Sequence, residues 1–157
     1  MSGKGRFRYA LEPVLLKRQW DLDALLLDLG HVNSVLSKLK GELKELIDAA
    51  RDASENWKQQ SASGLIDVSR FSLLTQYMQD LAVQCAAREK EIAAKEHERG
   101  ALIDRVIAAQ RGVDAVETHR DEMKAKFIKL RLNEDFKSAD DHWSTLEARM
   151  ENHDSRS

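Results

Sequence analysis

The sequence predicts an all-α protein, a single long antiparallel two-helix coiled-coil hairpin. Three observations carry the prediction. Apolar residues recur with a heptad period along two long stretches, the only interior Ser/Gly cluster falls between them, and the composition is that of long helices. Of 157 residues, 33% are charged, 6% are aromatic and one is proline. A compact globular core needs more aromatics and more turn residues than this, whereas coiled coils are rich in Ala, Glu, Lys, Leu and Arg. No strand-like alternation competes with either heptad series.

The first helix is expected over about residues 11–60. Its a positions read Leu15, Leu22, Leu29, Leu36, Leu43, Ala50 and Trp57. Its d positions read Leu11, Arg18, Leu25, Val32, Leu39, Leu46 and Ala53, so only Arg18 is not apolar. Pro13 fits the first turn, where its missing N–H costs nothing and its fixed φ favours initiation. The segment SASGLID, residues 61–67, then supplies a turn. Gly64 can take the left-handed conformation that ends a helix, and Asp67 or Ser69 can cap the next one.

The second helix is expected over about residues 68–132. Its a positions are Phe71, Met78, Cys85, Ile92, Arg99, Val106, Val113, Arg120 and Phe127, and its d positions are Leu74, Leu81, Arg88, Lys95, Leu102, Ala109, Val116, Met123 and Leu130. A connection this short makes the two helices antiparallel. Pairing positions whose numbers sum to 131 sets Leu15 against Val116, Leu29 against Leu102 and Trp57 against Leu74, with the midpoint in the turn. Arg88, Lys95 and Arg99 at core positions, with Gly30 and Gly100 nearby, allow either a flexible waist or ordinary surface tolerance. After Leu130 the stripe loses phase. Residues 133–141 either continue the helix or break it, and Ser138 with Asp141 could cap a last short helix carrying Trp143, Leu146 and Met150 to about residue 150. Residues 151–157 are polar and expected to fray.

Little in the sequence supports chemistry. Cys85 stands alone, which excludes an internal disulfide, and at a core position it is expected to be a buried small hydrophobe. The five histidines, His31, His97, His119, His142 and His153, lack metal-ligand spacing. No phosphate-binding glycine loop, dinucleotide motif or nucleophile elbow occurs. The expectation is therefore a non-enzyme with no cofactor and no metal. No apolar run approaches the length of a transmembrane helix. The basic start MSGKGRFRYALEPVLL makes a poor secretory signal, broken by Glu12 and Lys17, and Ser2 does not fit the myristoylation pattern. A cytoplasmic protein is expected.

Function must then lie in surfaces. Residues 1–20 carry a net +4 and residues 120–131 a net +3, and the 131 register brings these segments together at the open end of the hairpin. Residues 21–119 carry −5 and residues 132–157 carry −4. A basic end of this kind steers an acidic partner. Leu16, Trp20 and Leu27 face away from the seam. Another protein covers them, the chain's own tail folds back on them, or Trp20 simply faces solvent. At the turn, Leu65, Ile66, Val68, Phe71 and Tyr77 exceed what two helices can bury, so the turn is a second candidate contact. Nucleic acid is not expected as a partner, because stacking aromatics are few and the net charge is −2.

The opening Phe7, Tyr9, Leu11, Pro13, Val14, Leu15, Arg18, followed by a leucine heptad helix, a Gly-containing turn and a second helix entered by Phe71, Tyr77 and Leu81, resembles the FliJ/YscO (SctO) family of flagellar and type III secretion systems. The resemblance spans most of residues 6–131. It implies a stalk similar in shape to the central stalk of rotary ATPases, whose open end inserts into the hexameric export ATPase. Residues Arg6, Arg8, Tyr9, Leu16, Lys17, Arg18, Trp20, Lys124, Lys126, Lys129 and Arg131 are the ones expected at that contact. The turn residues Leu65, Ile66, Phe71 and Tyr77 would meet the export gate, and secretion chaperones are further implied partners. Such a protein would sit in the cytoplasm against an inner-membrane secretion apparatus. The competing reading is a generic coiled-coil adaptor or helical chaperone that binds clients along its apolar stripes. Residues 133–150 match no motif of the family.

Overall fold

The computed structural model describes residues 5–64 and 67–154. Of these described residues, 93% are helical. Helix α1 spans Glu12–Ala62 and helix α2 spans Val68–Asp154, and they pack against each other as a helical hairpin. No strand occurs among the described residues.

The helix ends follow local chemistry. The Leu15 N–H donates to the Leu11 carbonyl at 3.0 Å, and the Glu12 N–H donates to the Tyr9 carbonyl at 3.2 Å, so Leu11 caps α1 and Pro13 lies in its first turn. At the far end, the Ser63 N–H reaches the Gln59 carbonyl at 3.2 Å, and Gly64 turns the chain with φ of 72°. That left-handed backbone is one only glycine adopts without penalty. Asp67 rather than Ser69 caps α2: its Oδ1 accepts the Ser69 N–H at 3.1 Å, and its carbonyl accepts the Phe71 N–H at 2.9 Å. Leu65 and Ile66, expected at the turn contact, lie outside the described residues.

Helix α2 does not break at residues 133–141 but continues to Asp154. No glycine or proline follows Gly112, and side-chain caps without a breaker do not stop a helix. The chain divides into two compact units, one of residues 1–20 with 110–157 and the other of residues 21–109.

In the unit of residues 21–109, Val32, Leu36 and Leu102 form the buried centre, with Leu25, Leu29 and Ile92 packed against it. Leu29 and Leu102 thus meet in one cluster, as the 131 register requires. Leu22, Leu39, Ala53 and Leu81 are also buried. Each such leucine contributes about 1.5–3 kcal/mol of burial. Near the turn Trp57 stacks on Phe71, one helical turn from the expected Leu74, with ring centroids 5.5 Å apart and planes at 41°. A ring pair gains attraction that a ring and a leucine lack. The basic side chains at core positions stay half in water. Arg88 donates through Nε to Glu42 Oε2 at 3.1 Å across the helices and to Glu91 at 2.9 Å along its own. Lys95 pairs with Glu98 at 2.8 Å, and Arg99 is exposed. Cys85 is half-buried rather than buried.

The unit formed by the two termini is built on Leu15, Val113 and Val116, with 1%, 4% and 9% of their surfaces exposed. It also holds the candidate site.

Candidate functional site

Residues 5–9 are not helical, yet α2 holds them tightly. The Tyr9 hydroxyl lies 2.6 Å from His119 Nδ1 and donates to the Val116 carbonyl at 3.4 Å when His119 is the donor to it. The rings of Phe7 and Phe127 pack with centroids 5.5 Å apart and planes at 49°. The Arg131 guanidinium lies 5.6 Å from the Phe127 ring centroid and donates to the Gly5 carbonyl at 3.1 Å. An unpaired backbone segment needs such partners, because it has no ladder of its own.

These contacts shape an open cleft of about 640 Å³, lined by Arg6, Phe7, Arg8, Tyr9, Glu12, Arg120, Asp121 and Lys124. Four cations face two carboxylates there. Arg120 is engaged only weakly, with Nε 3.8 Å from Asp121 Oδ1. Among the described residues, Arg6, Arg8 and Lys124 form no ion pair, and both arginines are exposed. Guanidinium groups recognise carboxylates in a bidentate way, so the chemistry of Arg6, Arg8 and Arg120 suits an acidic ligand. No group of three metal-ligating side chains occurs among the described residues.

Of the residues expected at this contact, Arg6, Arg8, Tyr9 and Lys124 come together. Arg18 and Arg131 each make a hydrogen bond within the chain. Arg18 donates to the Gly112 carbonyl at 2.9 Å and lies over that glycine, where a Cβ would meet its Nη1 at 3.4 Å. Lys126 and Lys129 are exposed outside the cleft lining, as is Lys17. Leu16 and Trp20 are 44% and 71% exposed on the outer face of α1, and Leu27 is 75% exposed. The chain's tail does not cover Trp20, because α2 runs on as one helix. At the turn, Phe71 is half-buried against Trp57 and Tyr77 is 49% exposed. Trp57, Phe71, Thr75, Met78, Gln79 and Ala82 line an apolar groove beside them.

The sequence reading missed Phe7, Glu12, Asp121, His119 and Phe127 as site or supporting residues, and it counted Arg120 only within the basic segment 120–131. A signal existed. Phe7 with Phe127 and Tyr9 with His119 sum to 134 and 128, which bracket the register of the seam.

The family model described as the flagellar FliJ protein matches residues 7–151. No curated protein and no solved structure gives a significant match.

Proposed function

The chain belongs to the FliJ family of flagellar export proteins, and we propose that it acts there as a non-catalytic stalk of the export apparatus. The FliJ family is a non-enzymatic export component. In this reading the basic cleft of the terminal unit enters the hexameric export ATPase and binds an acidic surface inside the ring. Arg6, Arg8, Arg120 and Lys124 supply the charge, while Phe7 and Tyr9 supply a rigid apolar floor. The groove beside Trp57 and Phe71, with Tyr77, meets the export gate, and unloaded secretion chaperones are further partners. No helix among the described residues is long and apolar enough to cross a membrane. In this reading the protein attaches to the apparatus through protein contacts on its cytoplasmic side.

The observation that carries this reading is the cleft: two basic segments more than a hundred residues apart meet around two aromatic rings, with most of the cations unpaired. The test is charge reversal at Arg6, Arg8 and Lys124, measured as binding to the ATPase and stimulation of its hydrolysis. Loss of both, with helicity retained, is the expected result. Unchanged binding would overturn the reading.

A further inference from the structure

Every residue from 132 to 153 is exposed, although α2 stays helical throughout. Just before this stretch Arg131 donates to the Gly5 carbonyl at 3.1 Å. Beyond it α2 carries a second apolar stripe, out of phase with the first: Leu132, Phe136, Ala139, Trp143, Leu146 and Met150. The steps are four, three, four, three and four residues, a heptad pattern with Phe136, Trp143 and Met150 at a and Leu132, Ala139 and Leu146 at d. Its large members are 51%, 71%, 64%, 42% and 70% exposed. A stripe of this kind on one helix marks a partner helix that is missing.

We infer that this stripe pairs with the same stripe of a second copy, as an antiparallel two-fold coiled coil centred on residue 141. Antiparallel packing sets a against d, and one register satisfies every layer at once: Leu132 opposite Met150, Phe136 opposite Leu146 and Ala139 opposite Trp143, each occurring twice. The register is also complementary in size, since the largest side chain of the stripe meets the smallest. A two-fold interface must match itself, and here the size match of Trp143 with Ala139, which heptad spacing alone does not require, favours a second copy. Charge agrees. The residues flanking the stripe on one side bring Asp135 against Arg149 of the other copy, twice. At the axis itself Asp140 faces its own copy, a like-charge contact that limits affinity and keeps the association reversible. The Trp143 indole N–H is already held by Glu147 Oε1 at 3.1 Å along the helix, so burying the ring strands no donor. The helix needs no folding transition to pair, because it is formed in the single chain.

Sedimentation equilibrium of the full chain tests this. A monomer–dimer equilibrium is expected below about 100 μM. Trp143→Asp abolishes it. Asp135→Arg weakens it about tenfold, and Asp135→Arg with Arg149→Asp restores it, because the pair is rebuilt with signs exchanged. Asp140→Asn tightens it. Ala139→Trp weakens the dimer through a clash, whereas Ala139→Trp with Trp143→Ala recovers it in this register alone. All these side chains are exposed in the single chain, so circular dichroism should show unchanged helicity. A chain that stays monomeric across the range, or a dimer indifferent to both exchanges, overturns the inference and leaves the stripe to a different protein.

Discussion

The hydroxyl of Tyr9 and Nδ1 of His119 stand 2.6 Å apart, although 110 residues separate them along the chain. That bond, with the rings tilted at 53° and 5.7 Å apart, fixes a non-helical segment to the flank of α2. Tyr9→Phe keeps the ring and removes the bond, so it should cost about 1 kcal/mol. Urea denaturation would measure the loss. Limited proteolysis should show faster cleavage within residues 5–11, and equal cleavage in the variant would mean that the Phe7 and Gly5 contacts hold the segment without this bond.

The seam predicts a sharp contrast between neighbours. Leu15 is 1% exposed and Leu27 is 75% exposed. Leu15→Ala should destabilise by about 3–5 kcal/mol through lost burial and the cavity left behind. Leu27→Ala should change stability by no more than about 0.5 kcal/mol. Thermal unfolding of the two variants side by side reads both.

Glycines inside the helices give predictions of opposite sign to the one in the turn. A Cβ at Gly30, Gly41 or Gly100 would meet nothing within 4 Å. Alanine at each should stabilise by about 0.5–1 kcal/mol, since helix propensity then acts unopposed. Gly64→Ala should instead destabilise by about 1 kcal/mol, because its φ of 72° is costly for any residue with a Cβ. Asp67→Ala should cost a similar amount by removing the cap. Calorimetry of the set would resolve the signs.

The cleft separates two classes of surface cation. Arg6→Glu with Arg8→Glu should weaken binding of the ATPase ring far more than Lys126→Glu with Lys129→Glu, since only the first pair lines the cleft. Raising salt should weaken wild-type binding and narrow that difference. Equal effects from both pairs, measured by titration calorimetry at two ionic strengths, would show that total charge rather than the cleft decides.

Helical periodicity made the seam legible. All ten buried apolar residues among those described occupy a or d positions of the two heptad series, from Leu15 to Val116. Burial on a helix repeats with a fixed period, so a sequence displays it directly. The one polar d position of the first series, Arg18, could not be explained from its own helix. Its answer lies on the other one, where the Gly112 carbonyl accepts from the guanidinium at 2.9 Å. The cleft was half legible. Its charges could be counted, but the segment of residues 5–9 has no period, and its placement depends on side chains such as His119 and Phe127 on a distant stretch. The course of residues 133–154 was undecided for another reason: Ser138 and Asp141 offer a start signal without any stop signal before them.

The spacing of the aromatic contacts along the chain also orders events in time. Trp57 and Phe71 meet across a loop of fourteen residues, whereas Phe7 and Phe127 meet across 120. Contacts near the turn can form early because little chain freedom is lost in bringing them together. Each later pair starts from a loop already shortened by the one before, so the hairpin is expected to zip from the turn. Substitutions at Trp57 or Phe71 should therefore slow folding, while those at Phe7 or Tyr9 should chiefly speed unfolding. The surface proposed to dock partners is then the last to assemble, and a chain that displays it has already finished folding.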